Sequence, residues 1–445
     1  VHDSVALLTD HYELTMVDAA LRAGTADRPC VFELFSRSLK GARRYGVVAG
    51  TGRFLEQLTN FRFGDNELEW LSGQGFLSLQ TLDWLANYRF SGDIWGYPEG
   101  EVFFPGSPLL TVESTFAEGV MLETFALSIL NHDSAIATAA SRMTQAAGGK
   151  PLAEMGSRRT SEYGAVAAAR SAYLAGFSAT SNLEAGRTYG VPTMGTAAHS
   201  FSLLHDTERE AFEAQLAALG TDTTLLVDTY NITEGVALAV EVAGTALGAV
   251  RIDSGDLPIV VQEVRKQLDA LGATGTKITV TNDLDEFTVA TLAHSPVDSF
   301  GVGTSVVVGS GSPTMGMVYK LVSRQRDDGS WVPVAKASTG KQTLGGNKRA
   351  YRLIGADGRA TSELIVVSDE PGEAPENEPI AARPVMKHLV VNGEVQPEFL
   401  GKEALDAARA RHQSAVAELP VVALSLTRGD PAIPTVFTQS SDIQA

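Results

Sequence analysis

The sequence predicts an α/β protein centred on an irregular (β/α) barrel of seven to eight strands. Three observations lead there. Across residues 151–303 the chain repeats one rhythm, a short apolar run with a polar end followed by a helical stretch. Outside that region the intervening helices disappear, and strands come as hairpins joined by tight-turn residues. Seven β/α steps in so short a span favour a closed or nearly closed barrel over an open doubly wound sheet. The β-rich stretches before and after the barrel each need a buried face, and each is the other's natural partner. A second domain assembled from both chain ends is therefore expected. Its N-terminal part falls at 1–134, the barrel at 135–316, and the returning hairpins, a surface helix and a tail at 317–445.

Taken in order, Asp10 followed by Glu13 fits a capping-box start for a helix ending near Ala23. The run RPCVFELF alternates as a strand does and ends at Ser36-Arg37. Three helices are expected over 50–90, then a β-rich piece over 92–113 turned by Pro98-Glu99-Gly100 and Pro105-Gly106. A long helical pattern over 116–147 follows, with a break expected near Asn131-His132-Asp133. Barrel strands are expected over 151–155, 177–181, 191–195, 224–229, 247–253, 277–282 and 299–303. Thr207 with Glu210, and Asp256, open helices between them. Past 317, hairpins pair 317–323 with 331–335 and 349–354 with 362–367, and Asp328-Gly329 and Asp357-Gly358 supply the turns. The stretch EPGEAPENEP reads as a polar loop, 403–418 as a surface helix, and the last fifteen or so residues as frayed.

The totals bound the function. A chain of 445 residues with 44% hydrophobic and 20% charged residues has the composition of a soluble globular protein with a large core. Its net charge of -18, from 35 basic against 53 acidic residues, argues against a nucleic-acid partner, whose phosphates need a basic surface. An acidic shell still admits an anionic ligand if the basic residues gather in one cleft. The single cysteine, Cys30, excludes an intrachain disulfide and a cysteine-based zinc module. No apolar run reaches membrane-spanning length and no signal pattern opens the chain, so no membrane partner and a cytoplasmic location are expected.

The chemistry gathers at the strand ends. Glu154, Arg158 and Arg159, Ser181 and Asn182, His199 and Ser200, Asp228, Arg251 and Asp253, Asn282 and Asp283, and Gly301, Gly303 and Thr304 should all face one mouth. Each alone has a bland explanation: paired arginines on a loop are usually solvated surface, a lone histidine is as often structural as functional, and glycine turns are common. Their joint placement is harder to dismiss. Several arginines at one mouth can hold phosphates or carboxylates bidentately. The GVGTS turn after the last strand can present backbone N–H groups to a phosphate. Asp253 and Asp283 can hold Mg²⁺ or stabilise positive charge developing on a sugar. The pattern points to a sugar-phosphate substrate.

The segments LLTDHYELTM, FELFSRS, EMGSRRTSEYG, GTAAHSF, LVDTYN, VRIDSGDL and GVGTS, in this order and spacing, resemble the nicotinate phosphoribosyltransferase family. The resemblance runs from about Leu8 to Arg352. It implies a type II phosphoribosyltransferase fold, an irregular α/β barrel plus an α/β sandwich built from both chain ends. It also implies condensation of nicotinate with phosphoribosyl pyrophosphate to nicotinate mononucleotide and pyrophosphate, coupled to ATP hydrolysis, in NAD salvage. Carried over by position, His199 matches the histidine that ATP phosphorylates. Arg251 and Asp253 match residues at the pyridine ring and ribose, Arg158 lies at the base site, and Gly301 and Gly303 match the 5′-phosphate turn. Tyr12 matches an aromatic that stacks on the base from the neighbouring subunit, which implies a homodimer with shared active sites. Arg37, with Lys336, Ser338 and Lys341, matches groups that hold pyrophosphate or ATP phosphates.

Met155 stands where the family commonly has Phe, Leu344-Gly345-Gly346 where many members have Pro-Gly, and no GxxxxGK[ST] loop is present for ATP. The nearest alternative is nicotinamide phosphoribosyltransferase, which tends to place Asp where Ser181 stands; a carboxylate there would repel nicotinate. Quinolinate phosphoribosyltransferase is a shorter chain that needs no phosphorylated histidine. A catalytically silent ligand-binding barrel is the alternative from a different class.

Overall fold

The computed structural model describes residues 4–335, 344–372 and 381–442. The chain forms two compact units, residues 139–311 and the combination of 1–138 with 312–445.

In the unit of residues 139–311 six strands form one all-parallel, curled sheet. Across the sheet the order is Ala179–Thr180, Leu152–Glu154, Ser299–Val302, Lys277–Val280, Ala249–Ile252 and Thr224–Leu226. Both faces are covered, so the strands read as continuous apolar runs: Val250, Ile252, Ile278, Val280, Phe300 and Val302 are all buried. The strand expected over 191–195 reduces to a single parallel bridge between Thr180 and Thr193. Pro192 has no N–H to extend the ladder, which keeps that edge short. Helices fill the connections as expected. Glu162–Leu174 packs through a stripe of buried alanines, and Ser161 caps it by accepting from the Gly164 amide. Thr207 and Glu210 form the expected capping box of Glu208–Leu219.

The other unit joins both chain ends. Its seven-stranded sheet runs Trp331–Pro333, Met317–Gln325, Pro29–Ser36, Pro108–Thr115, Asp93–Gly96, Lys387–Val391, Glu394–Val395, so three N-terminal strands are flanked on each side by two C-terminal strands in one antiparallel sheet. A four-stranded sheet, Ala382–Pro384, Asn347–Ile354, Ala360–Ser368 and Thr435–Gln439, holds the second expected hairpin. An apolar cluster including Phe32, Phe54, Phe61, Phe125 and Tyr319 supplies the core. Two buried ion pairs tie the returning strands in place: Lys348 to Glu33 at 2.8 Å, and Arg352 to Glu363 at 2.7 Å, the latter carboxylate also accepting from the Tyr97 and Ser107 hydroxyls. Such pairs hold register because removing one partner strands the other charge in the interior.

Three local expectations fail for physical reasons. The tail is not frayed through to its end: Thr435–Gln439 pairs in parallel with residues 363–367. Its residues are largely exposed, so the apolar patterning that normally announces a strand is weak there. The helix over 116–147 breaks at Met121-Leu122 rather than at Asn131-His132-Asp133, giving Phe116–Val120 and Glu123–Ala146. There Asp133 is fully buried and takes a bidentate hydrogen bond from Arg53, at 2.9 and 3.0 Å, so the polar triplet serves packing instead of a turn. Finally, Asp10 makes no side-chain cap on His11–Ala23. Its carboxylate accepts from Thr124 Oγ1, and the buried Glu13 accepts from Thr9 Oγ1 and the Thr124 amide, so the two acids clamp a second helix.

Burial pushes the Glu13 carboxyl from 4.5 up to about 7, against the pull of the Thr124 hydrogen bonds. Between those values the folded chain holds a proton that the unfolded chain releases, so stability falls as pH rises through this window and levels off above it. Glu13→Gln keeps an acceptor for Thr124 and removes the titration. Thermal melts at about pH 5 and about pH 8 should show a smaller loss for the variant than for the wild type; equal losses would exclude Glu13 as the source.

Candidate functional site

Because all six strands run parallel, their carboxyl ends open on one mouth, and a cavity of about 230 Å³ lies there. Three guanidinium groups line it: Arg158 and Arg159 from the turn Ser157–Arg159, and Arg251 from Ala249–Ile252. Facing them are Asp253, Asp283 and the turn carrying Gly301, Gly303 and Thr304. Asn282 and Asp283 hold φ angles of 91° and 43°, a left-handed bend unusual for non-glycine residues, directly beside the cavity.

Glycine at 301 answers a packing demand. A Cβ there would lie 2.6 Å from both Met155 Sδ and Thr281 Cγ2, so Met155 packs against the bare backbone of the turn. At 156, a Cβ would meet Val307 Cγ1 at 2.3 Å. The two glycines let the arginine turn and the glycine turn approach closely.

Arg251 is partly buried, and its Nη1 donates to Thr196 Oγ1 at 2.8 Å and to Ala197 O at 3.1 Å, fastening the loop that leads into His199–Leu204. Burial lowers its pKa, Asp253 and Asp228 raise it, and Arg158 lowers it further. His199 opens that helix. Its Nε2 lies 3.7 Å from Asp253 Oδ2 and 3.9 Å from Asp228 Oδ1, and its Nδ1 lies 3.2 Å from Thr229 Oγ1. Asp228 is fully buried at its side chain; Oδ2 accepts from the Asp253 amide and Ser254 Oγ, each at 2.7 Å, whereas Oδ1 has no hydrogen-bond partner among the described residues. Asp253 Oδ1 accepts from Thr281 Oγ1 at 2.6 Å.

The structure thus brings Arg158, Arg251, Asp253, Asp283, Gly301, Gly303 and Thr304 to one cavity, with His199 joined to it through Asp253. Ser181 and His199 are not part of the cavity lining; Ser181 follows the strand next to Leu152–Glu154, and its amide donates to Glu154 O at 2.8 Å. Tyr12 and Arg37 belong to the other unit. Tyr12 is 43% exposed, and burial together with Glu123 and Glu13 pushes its hydroxyl up to about 12. Arg37 lines a cavity of about 300 Å³ with Lys348 and Gly106. Lys336, Ser338 and Lys341 lie outside the described residues. Sequence reasoning missed the hydroxyls that hold the charged groups, Thr180, Thr229, Ser254 and Thr281; their position at or just after strand ends was the available signal. Among the described residues no group of three or more His, Cys, Asp or Glu side chains is arranged to hold a metal ion. No helix among them is long and apolar enough to cross a membrane.

Architecture and site together mark a class, a half-barrel α/β protein whose curled parallel sheet carries arginines, aspartates and a glycine turn at one mouth, a geometry suited to an anionic small molecule. Comparison with known proteins gives the particular family. A model described as nicotinate phosphoribosyltransferase N-terminal domain matches residues 7–131, and the nicotinate phosphoribosyltransferase family model matches residues 151–348. The chain is 54% identical over 441 residues to nicotinate phosphoribosyltransferase pncB1 of Mycobacterium tuberculosis, covering 97% of this chain and 95% of that one. It is 35% identical over 380 residues to nicotinate phosphoribosyltransferase of Bacillus subtilis, covering 83% and 77%. The crystal structure of human nicotinic acid phosphoribosyltransferase superposes with a TM-score of 0.81 at 28% identity, covering 97% of each chain. The chain belongs to the nicotinate phosphoribosyltransferase family.

Gly301→Ala should cost about 1–3 kcal/mol of stability in denaturant melts, because the new methyl overpacks Met155 and Thr281. Met155→Ala in the same chain should recover part of that loss; no recovery would mean that the clash is not with Met155.

Proposed function

We propose that the chain transfers the phosphoribosyl group of phosphoribosyl pyrophosphate to nicotinate, giving nicotinate mononucleotide and pyrophosphate, with ATP coupled through phosphorylation of His199. Family membership supports the overall reaction. The observation that carries the chemistry is the meeting of Arg158, Arg159 and Arg251 with Asp253, Asp283 and the Gly301–Gly303 turn at one cavity. Phosphate and carboxylate are anions that guanidinium groups hold bidentately. The carboxylates suit the opposite need, a ribose ring that gains positive charge as pyrophosphate leaves.

In this reading the nicotinate ring nitrogen attacks C1 of the ribose as the C1–O bond to pyrophosphate breaks. A pyridine nitrogen needs no deprotonation, so positioning and electrostatics carry the catalysis. Arg158 and Arg251 hold the nicotinate end, the glycine turn holds the 5′-phosphate, and Asp253 faces the ribose. At His199 the two carboxylates near Nε2 favour the tautomer with hydrogen there, leaving the Nδ1 lone pair, opposite Thr229, for the phosphoryl group of ATP. Mg²⁺ would neutralise pyrophosphate charge; Asp253 and Asp283 fit such an ion only as part of a shell completed by phosphate oxygens and water, which is the usual Mg²⁺ arrangement. Tyr12 would act on a partner subunit's base site in a homodimer. Arg37, with Lys336, Ser338 and Lys341, would hold pyrophosphate or ATP phosphates, and the cytoplasm is the expected compartment. The nicotinamide enzyme remains the alternative activity.

The test is product formation from nicotinate against nicotinamide, with ADP release followed in parallel. Nicotinate should be strongly preferred, and His199→Asn should abolish ADP release while leaving slow ATP-independent synthesis. Stoichiometric ADP release by the variant would remove His199 from the ATP step, and a preference for nicotinamide would overturn the substrate.

A further inference from the structure

Glu154 is the last residue of the strand Leu152–Glu154, and its side chain is fully buried. No basic side chain pairs with it among the described residues; two donors hold it instead. Thr180 Oγ1 donates to Oε2 at 2.6 Å, and the Gly156 amide donates to Oε1. Burial raises the carboxyl's pKa and these two hydrogen bonds oppose the rise. A carboxylate is costly to bury, so retaining one here needs a reason beyond filling space.

Its partners supply one. Gly156 begins the turn that carries Arg158 and Arg159, and the Arg159 amide closes that turn by donating to Gly156 O at 2.8 Å. Thr180 ends the neighbouring strand; its hydroxyl also accepts from the Asn182 amide at 3.0 Å, and Asn182 Nδ2 reaches back to Ser157 Oγ at 3.1 Å. The Glu154 carbonyl accepts from the Ser181 amide at 2.8 Å. One buried carboxylate therefore sits at the centre of a hydrogen-bonded ring that joins the arginine turn to the Ser181-Asn182 strand end.

We propose that Glu154 and Thr180 form a positioning pair that fixes the arginine turn relative to Ser181, and so sets the preference for an acid over an amide ring substituent. This deepens the nicotinate reading and rests on it. Neither side chain touches the cavity; they act through Arg158, Arg159 and Ser181. Selectivity depends on this ring because a guanidinium discriminates a carboxylate from an amide most strongly when its N–H groups meet both oxygens. A turn free to shift by a fraction of an ångström keeps its charge and loses its discrimination.

Thr180→Val removes the hydroxyl at nearly constant shape, and Thr180→Ser keeps it. The valine variant should raise KM for nicotinate roughly tenfold or more, the scale of one lost hydrogen bond to a charged group, with kcat and KM for phosphoribosyl pyrophosphate little changed. Its ratio of kcat/KM for nicotinate over nicotinamide should fall by a similar factor, and Thr180→Ser should restore both. Glu154→Gln, which keeps one acceptor, should shift the same ratio in the same direction. If either variant lowers kcat and both substrate affinities in parallel with its melting temperature, leaving the ratio unchanged, the pair is merely structural and the proposal fails. A wild type inactive on nicotinate would instead defeat the underlying reading, so the two failures are distinguishable.

Discussion

Charge inside a folded chain persists only where donors or opposite charges surround it, and the mouth of the parallel sheet is organised by that constraint. Asp228 is buried, with the Asp253 amide and Ser254 hydroxyl donating to one oxygen and the other lying 3.9 Å from His199 Nε2. Asp253 is held by Thr281, and Arg251 by Thr196 and Ala197. The two aspartates are thus fixed by amides and hydroxyls at or just beyond adjacent strand ends, and the arginine by the loop that leads to His199. A parallel sheet makes this possible because every strand finishes at the same rim, where the last amides and hydroxyls have no ladder partner of their own.

The same constraint explains what could be read in advance. The strand, polar end and helix rhythm of residues 151–303 is dictated by two-sided burial, and it located every strand of the curled sheet, together with the arginines, aspartates and glycines at their ends. What escaped was of two kinds. Polar residues that serve packing, such as the buried Asp133 inside a continuous helix, look like turn signals when their partner Arg53 lies eighty positions away. Strands completed by distant chain, such as Lys387–Val391 beside Asp93–Gly96 and Thr435–Gln439 beside Ala360–Ser368, owe their existence to the partner more than to their own pattern. The hydroxyls that orient the charged groups left only a weak signal, their place at or just after strand ends, because threonine there is ordinary by propensity and its neighbour makes it informative.

An acidic chain with a cationic cavity is less contradictory than its net charge of -18 implies. Surface acids are screened by salt within about 10 Å, whereas guanidinium groups sharing a cavity act at contact distance. Around Arg251 the attraction of Asp253 and Asp228 outweighs the repulsion from Arg158, while Arg158 and Arg159 bring two further guanidinium groups to the same cavity.

Arg251 has a second allegiance. The guanidinium that lines the cavity also fastens residues 196–197, and two residues later the chain delivers His199 between Asp228 and Asp253. Adding a phosphoryl group at Nδ1 would put bulk and negative charge where Thr229 Oγ1 now lies 3.2 Å away, and the loop that carries the histidine would shift to make room. Movement of the loop is movement of an Arg251 partner. Under the proposed reading, the state of the histidine and the geometry of the base site are therefore coupled through one side chain and two hydrogen bonds, with no longer pathway required.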